Sequence, residues 1–386
     1  MTNPEITSRN KSIDISIILP CRNEEQALAG CLIQIKSTIR KYKLHAEIIV
    51  SDSSSDNSPV IARKFGVKLI KHDKEGYGRA YLEGFREAQG KYFFMADPDG
   101  SYDFEEIPRF INKLQQGADF VIGNRFAGQM DKESMPWLHR HFGNPILSFI
   151  LRVFFGSKIR DAHCGMRAIK KSSLQILNLH TTGMEFASEM VIKATKKNLK
   201  TDQLPINYHK RQGQSKLRMI TDGWRHLRFM LLYSPLFLFF IPGSFLFITG
   251  LLGLTLSYFN LLYISTWHFQ YHPMFFASAL LITGYQLIFF AVFAKTYAMT
   301  HLEEDGLIMS KLHHYITLEK GSLVGFVIST IGLILFIYIV TEWFQNDFGK
   351  LKQIKNSIVA LSLLTIGIQT IFSSFMLSIL SIKTKD

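Results

Sequence analysis

Two aspartates, Asp97 and Asp99, stand two residues apart directly after the apolar run YFFMA. Pro98 and Gly100 favour a turn at this point, and a turn can bring both carboxylates to one ligand. Hard carboxylate oxygens suit Mg²⁺ or Mn²⁺, ions that commonly bridge protein carboxylates and substrate phosphates. The spacing therefore predicts a divalent-metal site. A third acid, Asp103, is better interpreted as the N-cap of the following helical stretch FEEIPRFINKL.

Short apolar segments alternate with amphipathic helical stretches through the first third of the chain, a pattern typical of a parallel α/β sheet with helices on both faces. The predicted strands are 13–20, 46–52, 67–72, 91–97 and 118–124. Polar motifs follow the first four strands and read PCRNEE, SDSSSDNS, HDKEGYGRA and DPDGSYD. Ligands of such sheets bind outside the carboxyl ends of the strands. The shared placement of the four motifs predicts a ligand site more strongly than any one motif does.

Some common ligand sites are disfavoured by what the sequence lacks. There is no GxxxxGK[ST] motif, so the chain is not a P-loop protein. Gly76 and Gly78 begin a GxG, but Tyr81 stands where a dinucleotide-binding GxGxxG needs its third glycine. The three cysteines show neither a CxxC spacing nor a histidine spacing that suits zinc. A hydride-transfer dinucleotide fold and a zinc site are therefore disfavoured.

The C-terminal part of the chain is predicted to cross a membrane. The chain has 386 residues and a net charge of +13, yet residues 229–294 contain no Asp, Glu, Lys or Arg. Because a helix needs about 20 apolar residues to span a bilayer, this stretch is long enough for two spans. The four predicted spans are about 232–256, 274–296, 322–343 and 357–381. We therefore expect an integral protein of the plasma or inner membrane.

The charge pattern predicts that the N-terminal part faces the cytoplasm. The chain opens with the polar MTNPEITSRNKS, which has no apolar signal region. Residues 193–228 carry ten Lys or Arg and two acids directly before the first span, as the positive-inside rule expects of a cytoplasmic segment. Lys350, Lys352 and Lys355 disagree with this rule, because they lie in a loop between spans three and four that should face outside.

These patterns divide the chain into four segments. We expect a flexible N-terminus over 1–12, a cytoplasmic α/β catalytic domain over 13–212, an amphipathic helix over 213–231 and a transmembrane domain of four helices over 232–386. The amphipathic segment is basic on one side and apolar on the other, which is typical of a helix lying in the membrane interface.

The motifs together resemble a known family. The order LPCRNEE, SDSSSDNS, KEGYGRAYLEG, DPDGSYDF and IGNRF resembles the glycosyltransferases of family 2, which have the Rossmann-like GT-A fold. The later run MPWLHRHFGNP, DAHCGMRAI, GMEFASEM and KRQGQSKL is similar to the dolichol-phosphate or polyprenyl-phosphate mannose and glucose synthases. This resemblance implies inverting transfer of a hexose from UDP-glucose, or secondly from GDP-mannose, to a polyprenyl or dolichyl phosphate. The product would be a lipid-phosphate-sugar donor for cell-envelope glycans or glycoprotein modification.

The resemblance also implies roles for individual residues. The residues expected to bind the nucleotide sugar are Pro20, Arg22, Glu24, Asp52, Lys74, Gly76, Arg79 and Asp97. The expected ligands of Mg²⁺ or Mn²⁺ are Asp97, Asp99 and, as a weaker neutral ligand, Ser101. The cations expected to hold the acceptor phosphate are Arg125, Arg140 and Arg211, with Arg167 and Lys216 as further candidates. The expected catalytic set is Asp97, Asp99 and Arg125.

The implied reaction explains why no general base stands out among these residues. The oxygen of a lipid phosphate is already ionised near pH 7, so no proton has to be removed from it. Cationic groups are needed instead, because two phosphates must be held together against their repulsion. Arginine suits this task through its planar, bidentate donors.

Other interpretations stay open at this point. Asp52 and Asp56 could be turn or helix-capping residues, and the arginines could be surface cations near anionic lipid headgroups. Glu185 and Glu189 could shape the acceptor or sugar site or merely pair with Lys193. For His163, packing or support of a neighbouring site residue is a better interpretation than metal binding. Two alternative functions are a processive polysaccharide synthase, although no QxxRW motif occurs, and a non-catalytic membrane scaffold or lipid-handling protein. The expected partners are a nucleotide sugar, a polyprenyl phosphate and the membrane, without nucleic acid; homo-oligomer formation stays open.

Overall fold

The computed structural model describes residues 13–213, 219–261, 263–264, 267–268, 271–301, 317–349 and 353–382. The chain divides into two compact units, residues 1–230 and 231–386. The first is an α/β unit and the second is built from long apolar helices.

A seven-stranded sheet forms the centre of the first unit. Its strands are β1 (Ile15–Cys21), β2 (Ala46–Asp52), β3 (Lys68–Lys71), β4 (Tyr92–Met95), β5 (Phe120–Asn124), β6 (Arg167–Lys170) and β7 (Thr201–Pro205), in the order β3-β2-β1-β4-β6-β5-β7. Neighbouring strands run parallel except at β6, which is antiparallel to β4 and β5. The five predicted strands are confirmed, and the predicted mostly parallel α/β fold with them.

Two strands, β6 and β7, were not predicted from the sequence. The reason is that β6 is four residues long and both begins and ends with a cation, while β7 reads TDQLP and lies at the sheet edge. Neither has the apolar run that marks a buried strand. By contrast, β4 is a central strand between β1 and β6, and its run YFFM is almost wholly buried.

The helices of the first unit are α1 (Leu28–Lys41), α2 (Ser58–Lys64), α3 (Tyr77–Glu87), α4 (Ile107–Gln115), α5 (Asn144–Phe155), α6 (Lys171–Leu177), α7 (Phe186–Lys196) and α8 (Met219–Leu232). Asp103 caps the short 3₁₀ turn that leads into α4, where its carboxylate accepts a hydrogen bond from Glu105 N at 2.9 Å. This contact agrees with the interpretation of Asp103 as a helix cap.

The second unit contains α9 (Ile241–Tyr258), α10 (His272–His301), α11 (Leu318–Gln345) and α12 (Ile354–Leu380), with a short hairpin of β8 (Tyr263–Ile264) and β9 (Trp267–His268) before α10. Among the described residues, four segments are long and apolar enough to cross a membrane: Leu236–Tyr258, His272–Thr300, Leu318–Gln345 and Ile354–Leu380. They confirm the prediction of four apolar helices in the C-terminal part. Glycine allows close approach of the backbones, since a Cβ on Gly250 of α9 would lie 2.3 Å from Leu281 N of α10.

Lys355, one of the three lysines that disagreed with the positive-inside rule, has a structural partner. Its Nζ donates to the carbonyls of Ser257 and Tyr258 at 3.0 and 3.1 Å and to Asn260 Oδ1 at 2.6 Å. These carbonyls end α9, where the helix dipole favours a cation. The charge is therefore used to cap α9 and to hold its end against the start of α12.

Candidate functional site

A cavity of about 350 Å³ opens in the first unit where β1, β2 and β4 reach their carboxyl ends. The residues that line it are Pro20, Cys21, Arg22, Glu24, Ser53, Gly76, Tyr77, Ala80, Asp97, Pro98, Asp99, Tyr102, Arg125, His163, Met184, Ala187, Tyr208, Arg211, Asp222, Arg225 and His226. The structure thus brings together residues from all four polar motifs at one edge of the sheet. This edge is where ligands of open α/β sheets bind.

Asp97 and Asp99 meet in this cavity on the turn that follows β4. Asp99 is 7% exposed, and its Oδ1 accepts hydrogen bonds from the Ser101 hydroxyl at 2.5 Å and the Ser101 amide at 3.0 Å. Burial and the neighbouring Asp99 carboxylate raise the pKa of Asp97 to about 7. Two carboxylates held this close disfavour each other's ionisation, and a divalent cation would relieve that repulsion.

The chemistry of this donor set therefore fits a divalent cation held by Asp97 and Asp99. Within the described ranges no group of three or more His, Cys, Asp or Glu side chains comes together as a metal site. A cation here would accordingly need further oxygens from a substrate phosphate or from water, as Mg²⁺ commonly does. Ser101, the predicted third ligand, instead donates its hydroxyl proton to Asp99.

Arg211 brings a cation to the acid pair. Its Nη1 lies 3.7 Å from Asp99 Oδ2, and its Nη2 lies 3.4 Å from Glu24 Oε1. The chain around Arg211 runs along the acidic turn, because Gln212 N donates to Asp99 O at 2.8 Å. A guanidinium is thus positioned where the negative charge of the cavity is densest.

Asp52 ends β2, beside the cavity-lining residue Ser53. It is 0% exposed, and neither carboxylate oxygen has a hydrogen-bond partner within the described part of the chain. A buried polar group without a partner is costly. Asp52 itself does not line the cavity, but it lies directly before Ser53, which does. Asp56, in contrast, has a local role, because its carboxylate accepts from Ser58 N at 2.9 Å and from Glu25 N at 3.1 Å.

The remaining nucleotide candidates lie around the start of α3. Gly76 has a φ of 135°, and a Cβ there would lie 2.3 Å from Thr182 O, so that only glycine fits. Arg22 pairs with Glu75 at 2.5 Å on the rim of the cavity. Two further candidates, Lys74 and Arg79, face Glu83 at 3.7 and 3.8 Å rather than the cavity.

The predicted phosphate-binding cations have different surroundings. Arg125 lines the cavity, but its Nε and Nη2 both donate to Asp161 at 2.8 Å. Arg167 is 2% exposed and donates to three backbone carbonyls, so the structure gives it a packing role away from the cavity lining. Arg140 is half-buried in the π-helical turn before α5, and Lys216 lies outside the described residues.

Glu189 on α7 holds a loop rather than a ligand. It is 0% exposed, pairs with Lys193 Nζ at 2.7 Å, and accepts hydrogen bonds from the amides of His180 and Thr181. The same loop continues to Thr182, whose carbonyl accepts from Arg79 N at 3.0 Å. Glu189 therefore stabilises the loop whose backbone contacts the start of α3.

Sequence reasoning missed the contribution of α8, which brings three side chains into the cavity: Asp222, Arg225 and His226. Arg225 and His226 follow Asp222 by three and four residues, so each is a neighbour of Asp222 on the helix surface, which is the signal that could have revealed them. His226 Nδ1 lies 2.8 Å from Ser188 Oγ, and His163 Nε2 lies 3.3 Å from the same oxygen. Burial lowers the pKa of His226 to about 4 and that of His163 well below its usual value, so both imidazoles are neutral.

Comparison with known proteins gives matches over both units. Residues 16–177 match the family described as Glycosyl transferase family 2, and residues 292–381 match the Glycosyltransferase family 2 C-terminal transmembrane region. The low-salt glycan biosynthesis hexosyltransferase Agl6 of Haloferax volcanii is 36% identical over 364 residues, which cover 94% of this chain and 88% of the relative. The dolichyl-phosphate hexose transferase of the same organism is 29% identical over 54% of this chain and 89% of its own length.

Among solved structures, glucosyl-3-phosphoglycerate synthase of Mycobacterium tuberculosis, in complex with phosphoglyceric acid, matches 57% of this chain and 80% of its own. The sequence identity is 17% and the TM-score is 0.46.

Proposed function

We propose that this chain, which belongs to glycosyltransferase family 2 and is a membrane protein, transfers a hexose from a nucleotide sugar to a polyprenyl or dolichyl phosphate. UDP-glucose is the favoured donor and GDP-mannose the second. The observation that carries the proposal is the cavity in which Asp97, Asp99 and Arg211 meet beside the buried Asp52. The names of the relatives, a glycan hexosyltransferase and a dolichyl-phosphate hexose transferase, support the same chemistry.

The donor is proposed to lie along the carboxyl ends of β1, β2 and β4. Asp52 would accept an N–H of the base, because its carboxylate is buried without a partner in the described residues. Gly76 lets the backbone at the start of α3 approach the ribose and diphosphate without a side chain in the way. Asp97 and Asp99 would hold Mg²⁺ or Mn²⁺, which when bound neutralises the diphosphate leaving group.

The transfer step needs no proton acceptor on the protein. An ionised phosphate oxygen of the lipid attacks the anomeric carbon, the bond from that carbon to the donor diphosphate breaks, and the nucleoside diphosphate leaves with the electron pair. Attack from the opposite face inverts the anomeric carbon. The task left to the protein is to hold two phosphates close together, and we propose Arg211 for it; its guanidinium lies between Glu24 and Asp99 in the cavity, which supports this role.

Several predicted details remain proposals. We propose that the catalytic unit faces the cytoplasm, where sugar nucleotides are made, and that Arg140 and Lys216 assist Arg211 at the acceptor phosphate. For Arg125 the bidentate contact with Asp161 supports a different role, that of fixing the cavity wall. The alternatives of a processive polysaccharide synthase and a non-catalytic scaffold are less well supported, because the acid pair is intact and no QxxRW motif follows it.

The donor class is tested by a thermal-shift panel of UDP-glucose, GDP-mannose and their nucleoside diphosphates with Mn²⁺. A ligand that binds only the folded protein raises its stability by mass action, so one base should raise the melting temperature and the other should not. Incubation with polyprenyl phosphate should then convert that donor into a hexosyl phospholipid. A protein that binds both nucleotides equally, or that forms a polymer, would contradict the proposal.

A further inference from the structure

Helix α8 contributes a row of polar side chains to the catalytic cavity. Arg225 and His226 follow Asp222 by three and four residues, and all three line the cavity. Arg225 is half-exposed, and its Nη1 lies 3.7 Å from Asp222 Oδ1. This separation is longer than a direct hydrogen bond, so the guanidinium can take up an incoming anion.

The rotation of α8 about its axis is fixed by the buried residues of the same helix. His226 is 6% exposed, hydrogen-bonds to Ser188 on α7, and packs edge-to-face on His163 with ring centroids 4.5 Å apart. Phe229 and Met230 are also buried. The face that carries Arg225 is therefore held toward the cavity, while Arg228 on the same helix is exposed and does not belong to the cavity lining.

The charges of the cavity favour Arg225 as a phosphate-binding group. Two other arginines of the lining pair closely with acids, Arg22 with Glu75 at 2.5 Å and Arg125 with Asp161 at 2.8 Å. Arg211 lies between two acids, Glu24 at 3.4 Å and Asp99 at 3.7 Å, whereas the acid that Arg225 faces, Asp222, is a single one at 3.7 Å. The imidazoles of His163 and His226 are neutral and add no positive charge. The donor diphosphate and the acceptor phosphate repel each other when they meet in this cavity. Holding them together needs a cation in addition to the arginines whose charge is balanced by the acids of the cavity.

We infer that Arg225 binds a phosphate oxygen of the lipid acceptor, an inference that rests on the proposed function. A phosphate in this cavity could also belong to the donor diphosphate, and the chemistry of recognition is the same. The position of Arg225 along the chain favours the acceptor, because α8 ends at Leu232 and the first membrane-spanning segment begins at Leu236. A residue on the helix that leads into the membrane is well placed to meet a lipid headgroup.

The test compares Arg225→Gln with Arg228→Gln, a matched change of the same charge on the same helix. Steady-state transfer is measured in detergent micelles at varied polyprenyl phosphate and, separately, at varied donor. For Arg225→Gln we expect the KM for the acceptor to rise about tenfold with the donor KM within twofold of wild type, since one charge-assisted contact is lost. Arg225→Lys should recover part of the loss, and Arg228→Gln should change neither KM by more than about twofold.

Three results would overturn the inference. Equal effects of the two Gln variants would show a general attraction to anionic headgroups, a raised donor KM would assign Arg225 to the diphosphate, and an unchanged acceptor KM would remove it from the site. Native mass spectrometry can measure the binding of polyprenyl phosphate in the absence of donor. This measurement tests the inference separately from the proposed function, because it requires no transfer of hexose. If the wild type transfers no hexose but binds the acceptor and Arg225→Gln does not, the proposed function fails and the inference stands.

Discussion

Replacing Asp52 by Asn should stabilise the ligand-free protein and weaken its binding of nucleotide. The side chain is 0% exposed, and its two carboxylate oxygens have no hydrogen-bond partner within the described ranges. Such a group costs stability in the empty protein and gains its partner only from a ligand. Asn has nearly the same shape but no charge, and burying an amide costs less than burying a charge, so the change lowers the cost and removes part of the ligand contact together.

The expected magnitudes follow from the burial and the missing partner. A buried, unsatisfied polar group costs about 1–3 kcal/mol, and a unit of about 200 residues gains roughly 2–4 °C in melting temperature per kcal/mol. The ligand-free variant should therefore melt higher than wild type, by up to about 2–12 °C if the whole cost is removed. A hydrogen bond to a charged group contributes about 1.5–3 kcal/mol, so the affinity for the nucleotide should fall about 10- to 150-fold.

Thermal unfolding without nucleotide and titration calorimetry with the nucleoside diphosphate measure the two effects. Asp56→Asn is the matched control, because the Asp56 carboxylate accepts hydrogen bonds from Ser58 N and Glu25 N. The control should lower the melting temperature slightly and leave nucleotide affinity unchanged. If Asp52→Asn lowers the melting temperature as well, Asp52 has a structural role and the reasoning is refuted.

Three further predictions concern the support of the site and the membrane unit. Gly76→Ala should lower nucleotide affinity at least tenfold in calorimetry, because its Cβ would lie 2.3 Å from Thr182 O at a φ of 135°; unchanged affinity would contradict the close approach. Burial would raise the pKa of Glu189, but hydrogen bonds from Lys193 and Thr181 outweigh it and lower the pKa. Its contribution is therefore complete above the unfolded pKa near 4.3 and is lost as the pH falls through the lower folded pKa. The deficit of Glu189→Gln in urea unfolding should accordingly be full at pH 7 and shrink below about pH 4.3, whereas a deficit independent of pH would oppose this account. Lys355→Met should destabilise the membrane unit by about 1–2 kcal/mol in detergent, because three acceptors at the end of α9 lose their donor; an unchanged melting temperature would show that the cap is unimportant.

Much of the fold could be predicted because its central strands and its long apolar helices have clear patterns of hydrophobic residues. The apolar segments that became β1, β2, β4 and β5 sit in the sheet interior, and the four spans stand out by length and lack of charge. The strand β6 could not be recognised, because Arg167 is a buried residue of the strand whose charge is satisfied by carbonyls of other segments. The local sequence around β6 shows the charged Arg167. It does not show the backbone carbonyls that accept its hydrogen bonds and so allow it to be buried.

The candidate site was predictable in its acids and less so in its cations. Asp97 and Asp99 follow β4 and Asp52 ends β2, so the sheet topology alone brings the three acids to one edge. The role of an arginine, however, depends on which acid its side chain contacts. Arg125 contacts Asp161, which lies 36 residues away in the chain, so the sequence pattern does not reveal the pair. The cavity face of α8 was hidden for a related reason, because a helix that is basic on one side also fits a membrane surface.

The central claim is metal-assisted transfer of a hexose onto a lipid phosphate at Asp97 and Asp99. The most direct measurement is mass-spectrometric detection of hexosyl phospholipid formed from the donor and polyprenyl phosphate with Mn²⁺, for wild type, Asp99→Asn and the control Asp103→Asn. We predict product with wild type and the control, and a loss of about 100-fold or more with Asp99→Asn or with a chelator, because the charge of the leaving group is then less well neutralised. Metal-dependent product formation by Asp99→Asn at the wild-type rate, or no product from wild type with either donor, would contradict the account.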